Sequence, residues 1–346
     1  MSSPLLARYA ECIFWLARFV ERAENLARIL EVHETYARDR SGTRDWYSIV
    51  QLNADEEIFA KKDCVANARN IIRFYLNDRE NPTSILNTVK YARENGRTLR
   101  PLISTEMWVQ LNVFYNRLNR IDDSELTPGA LSPLLNDIKE ACQTFTGIAE
   151  GTFYRDQAWH FYRLGRYLER ADQTTRLLDS KYYVLMSDTD VANMVNTGQW
   201  LALLRAASGY HAFRLLHQSD LTPWRIASFL LFNQSFPRSV FLCVREVDAA
   251  VTGLRSRYGL RAGSDVAEGL DQLRAILGTR SIDEVLASGL HEFIDFIQRY
   301  LIAITDRLGA AFFGHPPVEK APWQDAETWP PFTPPAADSL QIQAQA

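Results

Sequence analysis

Two stretches decide how this chain folds: RFVERAENLARIL, from Arg18 to Leu30, and RYLERADQTTRLL, from Arg166 to Leu178. The second repeats the first 148 positions later. Arg18/Arg166, Glu21/Glu169, Arg22/Arg170, Ala23/Ala171 and Arg28/Arg176 are identical, and Glu24/Asp172 and Asn25/Gln173 keep their chemical type. Both stretches have helical periodicity. At about 100° per residue, Leu16, Phe19, Val20, Ala23, Leu26, Ala27 and Leu30 form one broad apolar face. Arg18, Glu21, Arg22, Asn25 and Arg28 gather on the other side.

Helical periodicity dominates the rest of the chain too, and strand alternation is nearly absent. The expected class is all-α, a multi-helix bundle. One long helix is expected over 5–38, stopped near Ser41-Gly42. Asn81-Pro82, Ser132-Pro133 and Thr222-Pro223 each read as an N-cap followed by proline at the first helical position. Ser281 and Glu284 have capping-box spacing ahead of a helix running to about Ala311. Breaks fall near 39–45, 121–132, 187–198, 218–222 and 257–266, and the proline-rich segment after Gly314 reads as a flexible tail or strap. A second, weaker match at an offset of 141 pairs Pro82/Pro223, Ile85/Ile226 and Arg97/Arg238, and Trp46 matches Trp200. Matches in the same order imply an internal duplication. The expectation is one helical domain over 1–314, with halves of about 1–150 and 151–314 related by a pseudo-two-fold axis, followed by a tail over 315–346.

The composition narrows the function classes. With 346 residues the chain can bury a sizeable core, and 47% apolar with 23% charged residues is ordinary for a globular protein. A net charge of −4 argues against a non-specific nucleic-acid footprint. Arg8, Glu11 and Arg18 interrupt the apolar N-terminal stretch before a signal peptide could form, and no apolar run is long enough to span a membrane. Cys12, Cys64, Cys142 and Cys243 lie far apart without C-x-x-C spacing, as in reduced structural thiols. A cytoplasmic protein that engages neither membrane nor nucleic acid is the expectation. No Walker A, G-x-G-x-x-G or G-x-S-x-G sequence occurs, so no nucleotide cofactor is expected. None of the six histidines sits in a Glu-x-x-His or H-E-x-x-H pattern, so no metal is expected either.

The candidate site is therefore the doubled polar face. A solvated face drifts between Arg and Lys or Glu and Gln, whereas here arginine stays arginine in both copies. That is the residue for bidentate pairing with a carboxylate or phosphate. Two readings stand. In one, Glu21 and Glu169 are structural partners that lock arginines across a buried interface. In the other, the faces converge on a cavity where Arg18, Arg22, Asn25, Arg28, Arg166, Arg170, Gln173 and Arg176 hold an anionic ligand. Glu21 and Glu169 would then orient the arginines or act as base. Arg97 and Arg238 are weaker candidates for the same anion, helped by a helix N-terminus expected at Pro237.

The stretch YAECIFWLARFVERAENLARIL, from Tyr9 to Leu30, resembles the signature of the alpha-E family, all-helical bacterial proteins named for a Glu-Arg motif. The similarity continues through Ser84–Asn112, Trp159–Asp172 and Phe236–Val244, and so covers about 1–314. The chain departs at Cys12 and Ile13, where Asn and Leu would be expected. The motif positions here are Glu21-Arg22 and Glu169-Arg170. The resemblance implies a genetic setting: a circularly permuted ATP-grasp ligase, often with a transglutaminase-like protein. That setting points to ATP-dependent amide bond formation on a small peptide, with the chain as partner, as non-catalytic scaffold, or as an enzyme of another reaction.

Overall fold

The computed structural model describes residues 5–39, 46–127, 130–179, 200–218, 221–317 and Trp323, without the side chains of 35–39. Every described element is helical. In chain order these are α1 (Ala7–Asp39), α2 (Tyr47–Asn53), α3 (Glu56–Ala60), α4 (Ala68–Leu76), α5 (Ile85–Thr98) and α6 (Thr105–Leu118). A 3-10 turn (Asp123–Leu126) leads to α7 (Leu131–Thr152) and α8 (Gln157–Asp179). After a helical stretch over 200–206 come α9 (Tyr210–His217), α10 (Pro223–Phe232), α11 (Val240–Tyr258), α12 (Ser264–Thr279), α13 (Ile282–Ser288) and α14 (Leu290–Leu308). A π-helical turn, Gly309–Phe313, ends the last of these.

Local chemistry explains most helix starts. Ser84, Ser104 and Ser239 are N-caps whose hydroxyls accept from the amide three residues on. Ser281 and Glu284 form the expected capping box. Thr222 and Pro223 begin α10 as expected. The other two proline signals fail. Asn81-Pro82 lies in the turn before Ser84, where the Asn81 amide donates to the Phe74 carbonyl. Helix α7 starts at Leu131, ahead of Ser132-Pro133, and the Ser132 hydroxyl donates to Glu34 at 2.5 Å instead of capping. The helix expected from Ser281 to Ala311 is divided at Gly289, whose φ of 103° only glycine adopts readily. Likewise α11 begins at Val240, not Pro237, because Ser239 supplies its cap. The expected breaks at 40–45 and 187–198 and the tail beyond Pro317, Trp323 excepted, lie outside the described residues.

Two long helices form the centre. Helix α1 packs against α8, α5 and α7, and α8 packs against α1, α11 and α14. The shells have one order: α5 touches α6 and α6 touches α7, while α11 touches α12 and α12 touches α14. Contacts advance together along α1 and α8, so the two run parallel. The Leu5 amide donates to Gln157 at one end, Arg18 and Arg22 reach Glu169 midway, and the Arg238 side chain ties Asn25 to this seam further on. The helices can approach because Gly165 faces the Phe14 carbonyl; a Cβ there would lie 2.1 Å from that oxygen. Consequently both faces of α1 are covered. Its apolar residues enter the core, and Glu21, Glu24 and Asn25 on the polar face are also buried.

The turns before α5 and α11 share a construction. The Ser84 hydroxyl donates to the Asp78 carbonyl at 2.8 Å, and the Ser239 hydroxyl donates to the Asn233 carbonyl. The offset between these turns is 155, which matches Pro82 with Pro237 and Thr83 with Arg238. This replaces the sequence match at 141: Arg238 has no counterpart in Arg97.

Candidate functional site, a crossed arginine–glutamate cluster

Each motif supplies the counter-charge for the other. Glu169 on α8 accepts from Arg18 Nε at 2.8 Å and from Arg22 Nε and Nη2 at 2.7 and 3.0 Å, a bidentate fork from α1. Gln173 adds a bond at 3.3 Å. Reciprocally, Glu21 on α1 accepts from Arg170 Nε at 2.8 Å and from Arg238 Nη1 at 2.6 Å, with Arg166 Nε 3.9 Å away. Arg238 also donates to Asn25 at 2.7 Å and lies 3.3 Å from Glu24. Farther along, Arg28 pairs with Glu24 one turn back, and Arg176 pairs with Asp172 at 3.0 Å. The aromatic flanks serve the same groups: Arg18 sits over Trp15 at 4.9 Å, and Arg166 and Arg170 lie over Tyr167.

Burial pushes both glutamates toward the neutral form, but the arginines outweigh it. Arg170 and Arg238 bring Glu21 down to about 2, and Arg22 and Arg18 bring Glu169 down to about 2. Carboxylates held that low take up no proton at neutral pH. Each glutamate is thus an ionised partner of arginines on the opposite helix. Burial raises the Cys243 thiol beside them to about 12, so it stays protonated. Cys142 is raised too, again chiefly by burial. Among the described residues no group of three His, Cys, Asp or Glu side chains could hold a metal ion, and no helix is long and apolar enough to cross a membrane.

Of the residues singled out from sequence, Arg18, Glu21, Arg22, Asn25, Arg28, Arg166, Glu169, Arg170, Gln173, Arg176 and Arg238 belong to this one seam. Arg97 does not. Its side chain is 70% exposed and pairs with Glu94 on its own helix. The sequence reading matched Glu24 with Asp172 without placing either in the candidate site, where their i,i+4 spacing pairs them with Arg28 and Arg176. It also left out Asp55, Tyr75 and Thr83, for which no local signal exists. Asp55 lies between two short helices and accepts from the Tyr75 and Thr83 hydroxyls at 3.0 and 2.9 Å.

The inventory is unbalanced. Seven guanidiniums (Arg18, Arg22, Arg28, Arg166, Arg170, Arg176, Arg238) share the seam with four carboxylates (Glu21, Glu24, Glu169, Asp172), and the half-exposed Glu150 reaches Arg166 from the rim. Arg166 Nε and Asn25 Nδ2 are buried with no hydrogen-bond partner among the described residues. The two ends also differ. Arg238 and Arg170 close the Glu21 end, whereas Arg22 and Arg176 keep 28% and 31% of their side-chain surface exposed.

A parallel pair of central helices joined by reciprocal Glu-Arg pairing defines an all-helical domain of the kind built on an ER motif. The family model Alpha-E, a predicted alpha-helical domain with a conserved ER motif, matches residues 5–313, and the chain belongs to that family. Uncharacterized proteins of Mycobacterium bovis and Mycobacterium tuberculosis are similar, each 22% identical over 310 residues. That match covers 84% of this chain and 34% of each relative, so the chain spans about a third of their length. No solved structure matches.

Proposed function

We propose that the chain is the helical partner of an ATP-grasp amidoligase in making or modifying a small peptide. It would hold a carboxylate- or phosphate-bearing intermediate at the Arg22–Arg176 edge of the seam. The observation that carries the binding part is the surplus of guanidiniums with unspent donors. Arg22 uses Nε and Nη2 on Glu169, and Arg176 uses only Nε on Asp172. An incoming anion would meet fixed donors already desolvated on one side, the setting in which charge-assisted bonds are strong. The ligase partnership rests on the family resemblance alone. A transglutaminase-like protein is a further proposed partner on the same ground. We also read the fold as a duplicated pair of halves, supported by the matching shells around α1 and α8 and the turns 155 residues apart.

Titrating the full chain with inorganic phosphate and with succinate tests the site. Arg22→Ala and Arg176→Ala should each weaken binding about ten-fold, roughly the 1.4 kcal/mol of one charge-assisted bond. Binding equal to wild type in both variants ends the anion reading. The closure of Glu21 favours a second reading, a scaffold in which the seam only joins α1 to α8. That reading predicts no anion binding, with co-purification of the ligase unaffected by either substitution.

A further inference from the structure

Trp323 lies beyond the last helical turn, Gly309–Phe313, yet only 6% of its surface is exposed. Two helices bury it. Asp265 and Gly269 are one turn apart and share a face of α12, and Tyr300 and Arg307 are two turns apart on one face of α14. Between these faces lies a slot that fits an indole. The ring nitrogen donates to Asp265 Oδ1 at 3.1 Å. The Arg307 guanidinium lies 5.5 Å from the ring centre, and the Tyr300 ring packs beside it at 5.3 Å. Gly269 is the floor of the slot: a Cβ there would lie 2.7 Å from the indole. A glycine in mid-helix destabilises α12 relative to alanine. The ring that it admits gives that glycine its purpose.

The slot and its occupant belong to different parts of the chain. Asp265, Gly269, Tyr300 and Arg307 lie within the residues 5–313 that match the family, and Trp323 lies outside them. The slot also stands without its occupant. Asp265 uses Oδ2 for an ion pair with Arg307 and only Oδ1 for the indole. If the indole leaves, Arg307 keeps its counter-charge, and the Asp265 side chain, 32% exposed, turns Oδ1 to water. No buried charge is stranded. A ring held by a directional bond over a glycine floor, and removable at that small electrostatic cost, has the geometry of a docked ligand.

We propose that α12 and α14 form a recognition slot for a tryptophan-bearing peptide segment, and that the chain's own tail is its ligand, docked in cis through Trp323. Asp265 distinguishes tryptophan from phenylalanine, because only the indole brings an N–H, and Gly269 sets the depth. The inference is independent of the anion reading above.

Calorimetry of the full chain with a synthetic peptide of residues 317–327 tests the proposal. Trp323→Ala vacates the slot. It should bind the peptide about ten-fold more tightly than wild type, where the tethered tail competes at high effective concentration. The peptide carrying Trp323→Phe should bind that variant about five-fold more weakly, for want of the donor to Asp265. Adding Gly269→Ala to Trp323→Ala should abolish binding. Alanine is the better helix former, so that loss would not come from unfolding. Equal binding in any of these three comparisons overturns the assignment. Both variants should melt cooperatively. A Trp323→Ala chain without a cooperative melt would overturn it too, since the ring would then be part of the folded core and not a docked ligand.

Discussion

Glu21 and Glu169 are carboxylates sealed from water and held at about 2, against an ordinary value of 4.5. The depressed value has a consequence for stability. Above about pH 4.5 folded and unfolded chains are both ionised there, and the arginine pairing contributes in full. As pH falls below that, the unfolded chain takes up protons first, and the contribution is lost progressively down to about 2. By linkage each group is worth on the order of 3 kcal/mol across that window. Melting temperature should therefore fall steeply between about pH 4.5 and pH 2. Glu21→Gln should start lower, because Arg170 and Arg238 lose their buried counter-charge. It should also show a shallower acid limb. An acid limb as steep in the Glu21→Gln, Glu169→Gln double variant as in wild type would mean that other groups carry the acid sensitivity.

At the scale of elements, the seam depends on how closely α1 and α8 approach. Gly165 faces the Phe14 carbonyl with the Ala17 methyl nearby, and a Cβ at 2.1 Å from backbone oxygen has nowhere to go. Gly165→Ala should push the helices apart, lengthen the Glu–Arg bonds and cost about 3 kcal/mol or more in urea unfolding. Gly147→Ala is the control. That glycine is exposed within α7, with nothing within 4 Å of a new Cβ, and the change should stabilise by up to ~1 kcal/mol. If both substitutions proved neutral, close approach would not be what holds the pair. These elements also show where sequence reading reaches and stops. Helices α1 and α8, the capping box at Ser281 and the Thr222-Pro223 start of α10 were legible, because periodicity and helix-start signals are local. Ser132 misled because its hydroxyl serves Glu34 on another helix. Arg97 misled because the turn shared by α5 and α11 is a backbone construction that Asp78 and Asn233 build with different side chains. That Glu21 answers Arg170 and Glu169 answers Arg22 depends on helix approach through space, and neither motif contains its own partner.

Crossed pairing has its largest consequence for the molecule as a whole. Segment 1–155 carries Glu21 on α1 and the shell α5, α6, α7, while the later segment carries Arg166, Arg170 and Arg238. Separated, the first would bury Glu21 without a strong cation, and the second would bury Glu169 without Arg18 and Arg22. Breaking a buried pair by removing one partner costs about 3–5 kcal/mol, comparable with the whole stability of a small domain. The fragments should therefore fold together and not apart. The connection between α7 and α8 is a natural place to divide them, since Tyr154 there is largely exposed. Expressed separately, 1–155 and 156–346 should each lack a cooperative melt. Expressed together, they should co-purify as a one-to-one complex whose melting temperature falls below pH 4.5 as in the intact chain. Arg170→Ala in the second fragment should abolish recovery of the first. Cooperative unfolding of 1–155 alone would show that its own shell stabilises α1, and that the reciprocal ion pairs join two finished halves instead of completing them.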